Sequence, residues 1–345
     1  MRGCVRILCV NTGSSSVKLV LWDGTQELLR AKAETLRGEA QFDAAVTSSL
    51  HSLPAAPDAV AHRIVAADTA WPGARRLDAA LLQELETRAP LAPDHLPQAL
   101  AAIRAAQAAF PALPQLACSD SSFHRTLPEV ARQIALPREL RQRGLARYGY
   151  HGLSCESALA ALRAEGPLPG RLVIAHLGNG CSLTAVRDGR SVETTMGFTP
   201  LGGLVMSTRS GDLDPGVLLY LLRAAGYTPD ALNLLLNQEA GLKGLSGISG
   251  DMKALLADAR PEAQLAAAVF VHQARKHLGA LAAVLGGVDL VVFTGGMGEN
   301  SAVIRERICA GMDWLAPHRS LSVRVIPANE ELVMARQAAA VLADP

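Results

Sequence analysis

An excess of charge of either sign is missing from this chain: 33 Lys and Arg stand against 32 Asp and Glu, for a formal net charge of +1. Such a balance offers no electrostatic case for a nucleic-acid or anionic-membrane partner. Long hydrophobic runs are missing too. The longest uncharged apolar stretch, LGALAAVLGGV (278–288), is too short to span a bilayer. The start, MRGCVRILCVNTG, has no sustained apolar core and no small-residue cleavage site, so no signal peptide is read there. The six cysteines (Cys4, Cys9, Cys118, Cys155, Cys181 and Cys309) form no CxxC pair, and most sit among apolar or small residues. That argues against a disulfide framework or a zinc site and for reduced thiols in a cytoplasm. GxxxxGK with a following Ser or Thr, GxGxxG opening a helix, GxSxG and HExxH are all lacking, which sets aside P-loop, Rossmann, nucleophile-elbow and zincin readings.

What is present is a folded chain of 345 residues, 49% hydrophobic and 19% charged, long enough for two domains. It begins with an apolar run, VRILCV (5–10), the small polar turn NTGSSS (11–16) and a second run, SVKLVLWDG (16–24). Helical patterns follow at 78–93 and 96–110, a buried strand ending in polar residues at 115–120, and a short proline-led helix at 137–140. RLVIAHLGNGCSLTAVRDG (171–189) then repeats the opening: Gly13 and Gly178 stand 165 residues apart, as do Asp23 and Asp188, and Gly24 and Gly189. The echo predicts two related halves, each opening with a hairpin. Helices are expected at 214–226, 261–286 and 300–312, a strand with terminal glycines at 288–296, and a strand, a polar break and a final helix over 322–343. Alternating strands and helices make the class α/β.

Turns built from small residues let backbone N–H groups converge on an anion. Three have that composition: NTGSSS, HLGNGCS (176–182) and FTGGMGENS (293–301), the last expected to lead straight into a helix. Together they point to a nucleotide phosphate site.

Two hairpin halves presenting polar turns to a nucleotide resemble the fold of actin, the Hsp70 ATPase domain and sugar kinases. Within it, VNTGSSSVKL (10–19), AHRIV (61–65), LAPDHLP (91–97), SDSSFHRTLP (119–128), RYGYHGLS (147–154), HLGNGCS, TTMGFTPLGGLVMSTRSGDLDPG (194–216), GLSGISGDM (244–252), FTGGMGENS and VIPANEEL (325–332) resemble the acetate kinase family, in that family's order and nearly end to end. The chain is trimmed relative to the family near 31–60 and 313–322. The resemblance implies two duplicated lobes of the actin-like (ribonuclease H-like) ATPase fold with an interlobe nucleotide cleft. The lobes are expected at 1–122 plus 331–345, and at 123–330.

It further implies a Mg²⁺-dependent, cytoplasmic homodimer that moves phosphate reversibly from ATP to a short carboxylate. Arg209, Arg63, His151 and Asp120 are the expected catalytic groups. Arg209 sits between small residues with Asp212 and Asp214 following, so a solvated ion pair is its plain alternative, although the apolar approach GFTPLGGLVM argues for a loop held near the core. Arg63 is a charge inside an apolar run, where burial without a partner is costly. Its plain alternative is a structural ion pair. Asp120 would serve equally as a turn or cap residue. Arg63, Val65, Asp94, Tyr150 and Pro200 carry over as the acceptor pocket. Asn11, Ser14, Lys18, His176, Asn179, Gly180, Asp251, Gly295, Gly296, Gly298 and Asn300 carry over as nucleotide contacts, with Asn11 and Glu330 at the metal. Glu330 would also suit the first turn of the final helix. His95 and His124 match family positions with weaker roles. Where the family has His-Gly-Gly, this chain has Ala66-Ala67-Asp68; Asp94 replaces a leucine, Leu96 an asparagine, Tyr150 a phenylalanine, and CSDSSFH stands for FDTAFH. Asp94 and Tyr150 make the pocket more polar, which leaves propionate or a hydroxylated acid open as acceptor. An Hsp70- or actin-type regulatory ATPase is the alternative of another class.

Overall fold

The computed structural model describes residues 5–13, 16–34, 36, 38–50, 52–66, 71–89, 92, 95–316 and 320–343. Its chain separates into two compact units, Met1–Arg125 with Asn329–Pro345, and Thr126–Ala328. Each is built on one mixed sheet.

The first unit contains β1 (Arg6–Thr12), β2 (Ser16–Asp23), β3 (Gln26–Glu34), β4 (Ala59–Ile64), β5 (Ala74–Arg76) and β6 (Gln115–Ser119), in the order β3-β2-β1-β4-β6-β5. β1 and β2 form the expected hairpin, paired from Arg6↔Asp23 to Thr12↔Val17, and β4 and β6 continue the sheet parallel to β1. Parallel strands covered on both faces read as continuous apolar runs, which is why RILCV and QLAC show no alternation. Leu8, Val10, Leu19 and Leu21 pack on Phe42 and Val46 of the helix Gly38–Leu50. Ile64 and Ala117 pack with Leu81, Leu85, Leu96 and Ile103. The last helix, Glu330–Ala343, lies against β1, β4, β5 and β6 and buries Val333, Met334, Ala335 and Ala338.

The second unit repeats this plan with β7 (Arg171–Leu177), β8 (Cys181–Arg187), β9 (Arg190–Thr194), β10 (Leu290–Thr294) and β11 (Val323–Val325), in the order β11-β10-β7-β8-β9. β7 and β8 pair antiparallel, and β10 and then β11 add in parallel. Strand for strand, β9-β8-β7-β10-β11 matches β3-β2-β1-β4-β6, so the 165-residue echo marks a duplicated sheet. The Asp-Gly pairs do not end the motif: at Asp188 (φ 50°) and Gly189 (φ 75°) both residues are left-handed, the geometry of a tight hairpin turn, and the chain continues into β9.

Several helices differ from the sequence expectation. The segment at 78–93 is helical only over Ala79–Arg88, where Asp78 accepts the Leu81 amide. The segment at 300–312 is helical only over Ala302–Cys309, and a separate short helix, Gly295–Asn300, precedes it. Gly295, at φ 80°, lets the chain leave β10 directly into a helical turn, and a Cβ there would stand 2.9 Å from the Leu177 carbonyl oxygen. Extended Ser301 breaks the helix and caps the next by accepting from Ile304 N. Helix Pro261–Leu285 is a core element, burying Ala266, Phe270, Leu278 and Leu281 among others. The apolar helix Pro215–Arg223 buries none of its residues. Among the described residues, no helix is long and apolar enough to cross a membrane.

Candidate active site

In the first unit the polar residues gather where parallel strands end. Asn11 and Arg63 sit one residue from the ends of β1 and β4, and Asp120 follows β6. The register sets them side by side, with Ile64 opposite Ser119 and Val10 opposite His62. Carboxyl ends of strands in an open α/β sheet are where ligands bind. The start of the last helix supplies Glu330 and Glu331 to the same place.

The contacts there are mutual. The Arg63 guanidinium lies 2.9 Å from Asp120 Oδ2 and 3.3 Å from Glu330 Oε2, and donates to Asn11 Oδ1 at 3.1 Å. Asn11 Nδ2 donates to Glu330 Oε2 at 3.0 Å and to Glu331 Oε1 at 2.7 Å. Glu331 pairs in turn with Lys18 (3.8 Å) and Arg30 (3.5 Å). Burial alone would depress Arg63, but the charges of Asp120 and Glu330 more than reverse this and hold its guanidinium above the ordinary arginine value. The Arg63 Nε atom has no hydrogen-bond partner among the described residues. Arg63, Lys18 and Arg30 offset Asp120, Glu330 and Glu331, so the cluster carries no surplus charge.

Other expected residues of this unit are spread more widely. Val65 is buried beside the cluster strand, and Lys18 sits opposite Asn11 in the β1–β2 register. His95 stands at the start of the helix Leu96–Ala109, and buried His124 packs edge-on to Phe123. Ser14 and Asp94 lie outside the described residues.

In the second unit, two histidines stack. His151 precedes the helix Gly152–Glu165 and His176 is the last residue but one of β7; their ring centroids are 4.2 Å apart. His151 adopts a left-handed φ of 61°, a conformation that costs a non-glycine residue on the order of 1–3 kcal/mol and clusters at functional sites. Each ring has its Nδ1 against a serine hydroxyl: Ser182 at 2.9 Å from His151, and Ser154 at 2.7 Å from His176. The turn between β7 and β8 passes close by. A Cβ on Gly180 would stand 3.3 Å from His151 Nε2 and 3.5 Å from Arg209 Nη1, so imidazole and guanidinium both lie against that glycine. Cys181 next to it is buried, which pushes its thiol up to about 12.

Arg209 rides on a long loop that is tied down, as its apolar approach suggested. Met206 N bonds the Arg209 carbonyl, Ser207 N bonds Asn179 O, and Leu242 N and Lys243 N bond back to Met206 O and Ser207 O. Gly241 makes this possible: at φ 63°, a Cβ there would lie 2.4 Å from Met206 O and 2.7 Å from Arg209 O. The two following aspartates bond elsewhere. Asp212 accepts from Gly203 N, and Asp214 caps the next helix through Gly216 N. Arg209 Nη1 donates to the Pro200 carbonyl at 3.3 Å.

Tyr150 is buried, and its hydroxyl donates to Phe198 O at 2.6 Å. Its proton therefore braces the 197–200 backbone instead of facing a ligand. Asp251 is exposed and caps the helix Met252–Ala257 by accepting from Lys253 N. The segment expected as a phosphate turn at 293–301 is instead a short helix whose first amide, Gly295 N, is taken by Glu299 Oε1; Asn300 folds back on Gly296 O. Gly298 is buried in it. Four residues of these clusters went unread in the sequence: Arg30, Glu331, Ser154 and Ser182. Glu331 carried one signal, a second carboxylate beside Glu330.

A sequence model described as the acetokinase family matches residues 42–320. A protein called acetate kinase from Rhodopseudomonas palustris is 43% identical over 300 residues, covering 81% of this chain and 75% of its own length. The crystal structure of Porphyromonas gingivalis acetate kinase superposes with a TM-score of 0.85 at 30% identity, over 98% of this chain and all (100%) of that one. A propionate kinase from Francisella tularensis gives a TM-score of 0.82 at 32% identity, covering 96% of this chain and 98% of its own.

Proposed function

The chain belongs to the acetokinase family, and on that premise we propose that it transfers the γ-phosphoryl group of ATP reversibly to acetate, giving acetyl phosphate and ADP. The observation that carries this is Arg63: a buried guanidinium at the end of a parallel strand, held between Asp120 and Glu330. A regulatory ATPase has no use for a cation poised to receive a second anion.

The chemistry asks for little beyond positioning and charge. An acetate oxygen attacks the γ-phosphorus in line as the bond to the bridging oxygen breaks, and that electron pair leaves on ADP. No proton has to move, because the acceptor is already a carboxylate. In this reading Arg63 meets the carboxylate and the moving phosphoryl group, and Val65, next but one to it in the chain, faces the methyl side. Arg209 and the imidazoles of His151 and His176 donate to phosphoryl oxygens, and Asn179 with Gly180 lets the nucleotide phosphates approach. Asp120 holds Arg63 in place.

Mg²⁺ fits this site. Among the described residues no group of three or more His, Cys, Asp or Glu is arranged to hold a metal. Mg²⁺ does not need one, since it takes one or two carboxylates with phosphates and water. Glu330 Oε2 and the Asn11 amide oxygen both accept from Arg63 Nη1, so two hard oxygen donors converge there. The first-unit cluster is balanced in charge and carries no surplus positive charge against the phosphates of ATP, and a divalent ion would add that neutralisation.

We also propose a homodimer formed through the helix Pro215–Arg223, whose Val217, Leu219, Tyr220 and Leu222 are all exposed. A cytoplasmic setting suits the five described cysteines, all free and four of them buried. The test is ADP release with acetate, propionate, glycolate and lactate, the product trapped as an acyl hydroxamate. Acetate-dependent turnover with hydroxamate is the expected result; ADP release indifferent to every acid would overturn the kinase reading in favour of an ATPase.

A further inference from the structure

The two stacked histidines exchange partners. The helix Gly152–Glu165 brings His151 and, one turn on, Ser154; the β7–β8 hairpin brings His176 and Ser182, which face each other across the ladder. Yet the bonds run between the elements, not within them: Ser182 to His151, and Ser154 to His176. All four residues are buried or nearly so, with Ser154 0% and Ser182 1% exposed.

A serine hydroxyl has one proton and must place it. Among the described residues, the imidazole Nδ1 is the hydrogen-bond partner of each of these two hydroxyls. If Nδ1 carried a proton, the serine oxygen would accept it and its own O–H would be buried with no acceptor. That penalty corresponds to roughly a tenfold to hundredfold bias between the two tautomers. With Nδ1 accepting, the ring proton sits on Nε2. For His151 this is the nitrogen lying against Gly180 beside Arg209, and for His176 it is the nitrogen nearest Gly178.

We propose that Ser154 and Ser182 are positioning residues that hold His176 and His151 as neutral Nε2–H donors, so that two oriented hydrogen-bond donors meet an incoming phosphate without any protonation step. The inference rests on the phosphoryl-transfer reading for its purpose, but not for its first observable. It also accounts for the left-handed His151: that backbone turn is what lets a residue at the helix start reach a hydroxyl on β8.

The experiment is long-range ¹H–¹⁵N correlation on the histidine-labelled protein without ligand, followed by kinetics, for wild type, Ser154→Ala, Ser182→Ala and the hydroxyl-retaining Ser182→Thr. Wild type is expected to show the Nε2–H tautomer at both residues. Each alanine variant should show a tautomer mixture at the ring it touches and a kcat lowered about tenfold with KM for ATP little changed, and Ser182→Thr should restore both. Nδ1–H at either ring in wild type would overturn the proposal, as would alanine variants that keep both tautomer and kcat. Where a variant unfolds, the wild-type spectrum decides alone. Should no carboxylate be phosphorylated, the spectra still test the serine–histidine pairing, so its failure is separable from failure of the kinase reading.

Discussion

The guanidinium of Arg63 and the carboxylate of Asp120 are 2.9 Å apart, and both side chains are largely withdrawn from solvent, at 13% and 1% exposure. Removing one partner of such a pair leaves a buried charge alone, at a cost of about 3–5 kcal/mol. Arg63→Ala should therefore lower both the urea midpoint and kcat, the latter by roughly 10³-fold or more. Arg63→Lys should rescue folding better than activity, because an ammonium cannot reach Asp120, Glu330 and Asn11 in one planar fork. Full activity in Arg63→Lys would show that charge alone suffices.

Arg209 makes the opposite prediction for stability. Its loop is anchored by a set of backbone bonds and by Gly241, beside the guanidinium's bond to the Pro200 carbonyl. Arg209→Ala is expected to keep its melting temperature within a few degrees while kcat drops about 10³-fold. A mutant within a few-fold of wild type would remove Arg209 from the mechanism.

His62 sets a pH dependence of stability. It is buried on β4 with Nε2 2.7 Å from Gln115 Oε1, and burial lowers its pKa from 6.5 to about 4. Between those values the unfolded chain binds a proton that the folded one refuses, so stability is present above about pH 6.5 and is lost as pH falls toward about 4. The full effect is on the order of 3 kcal/mol. Urea titrations across that window should show the loss, and His62→Gln should flatten it. Equal slopes in the two proteins would place the titration elsewhere.

Tyr150 bears on acceptor choice. Its hydroxyl proton is committed to Phe198 O, so it adds no donor for a hydroxylated acid. The ratio of kcat/KM for glycolate over acetate should change less than about threefold in Tyr150→Phe, because a site that truly bonded the hydroxyl would lose far more. A larger drop would mean that the tyrosine turns to the substrate.

The apolar helix Pro215–Arg223 makes the last prediction. Tyr220 is 63% and Leu219 48% exposed. A Leu219→Glu, Tyr220→Glu double variant should sediment as monomer at micromolar concentration while wild type sediments as dimer. Wild type found only as monomer would remove this face as an interface.

Reading the sequence worked where a local pattern carried the meaning. The duplicated hairpins announced themselves through glycines and aspartates at tight turns, and Arg63 stood out as a charge inside an apolar run. The last helix followed its polar break at the expected place. What escaped depended on distant contacts. Glu331 matters through Asn11, 320 positions away, and Ser154 and Ser182 matter only because a helix and a hairpin meet. The glycines at 295–298 looked like a turn because glycine weakens a helix, yet Gly295 was needed for its backbone angle. Composition also did not separate the exposed Pro215–Arg223 from the buried Pro261–Leu285, since both are rich in apolar residues.

The helix Glu330–Ala343 belongs to the unit that begins the chain. During synthesis, β1, β4 and β6 emerge long before it, and Thr126–Ala328 is made in between. Until residue 343 has left the ribosome, the faces later covered by Val333, Met334 and Ala338 stay bare, and Arg63 and Asn11 wait without their glutamates. The first-made segment is thus the last to become native, and a chain that stopped just past Ala328 would carry a finished second unit beside an unfinished, adhesive first one, a form that chaperones and proteases would meet.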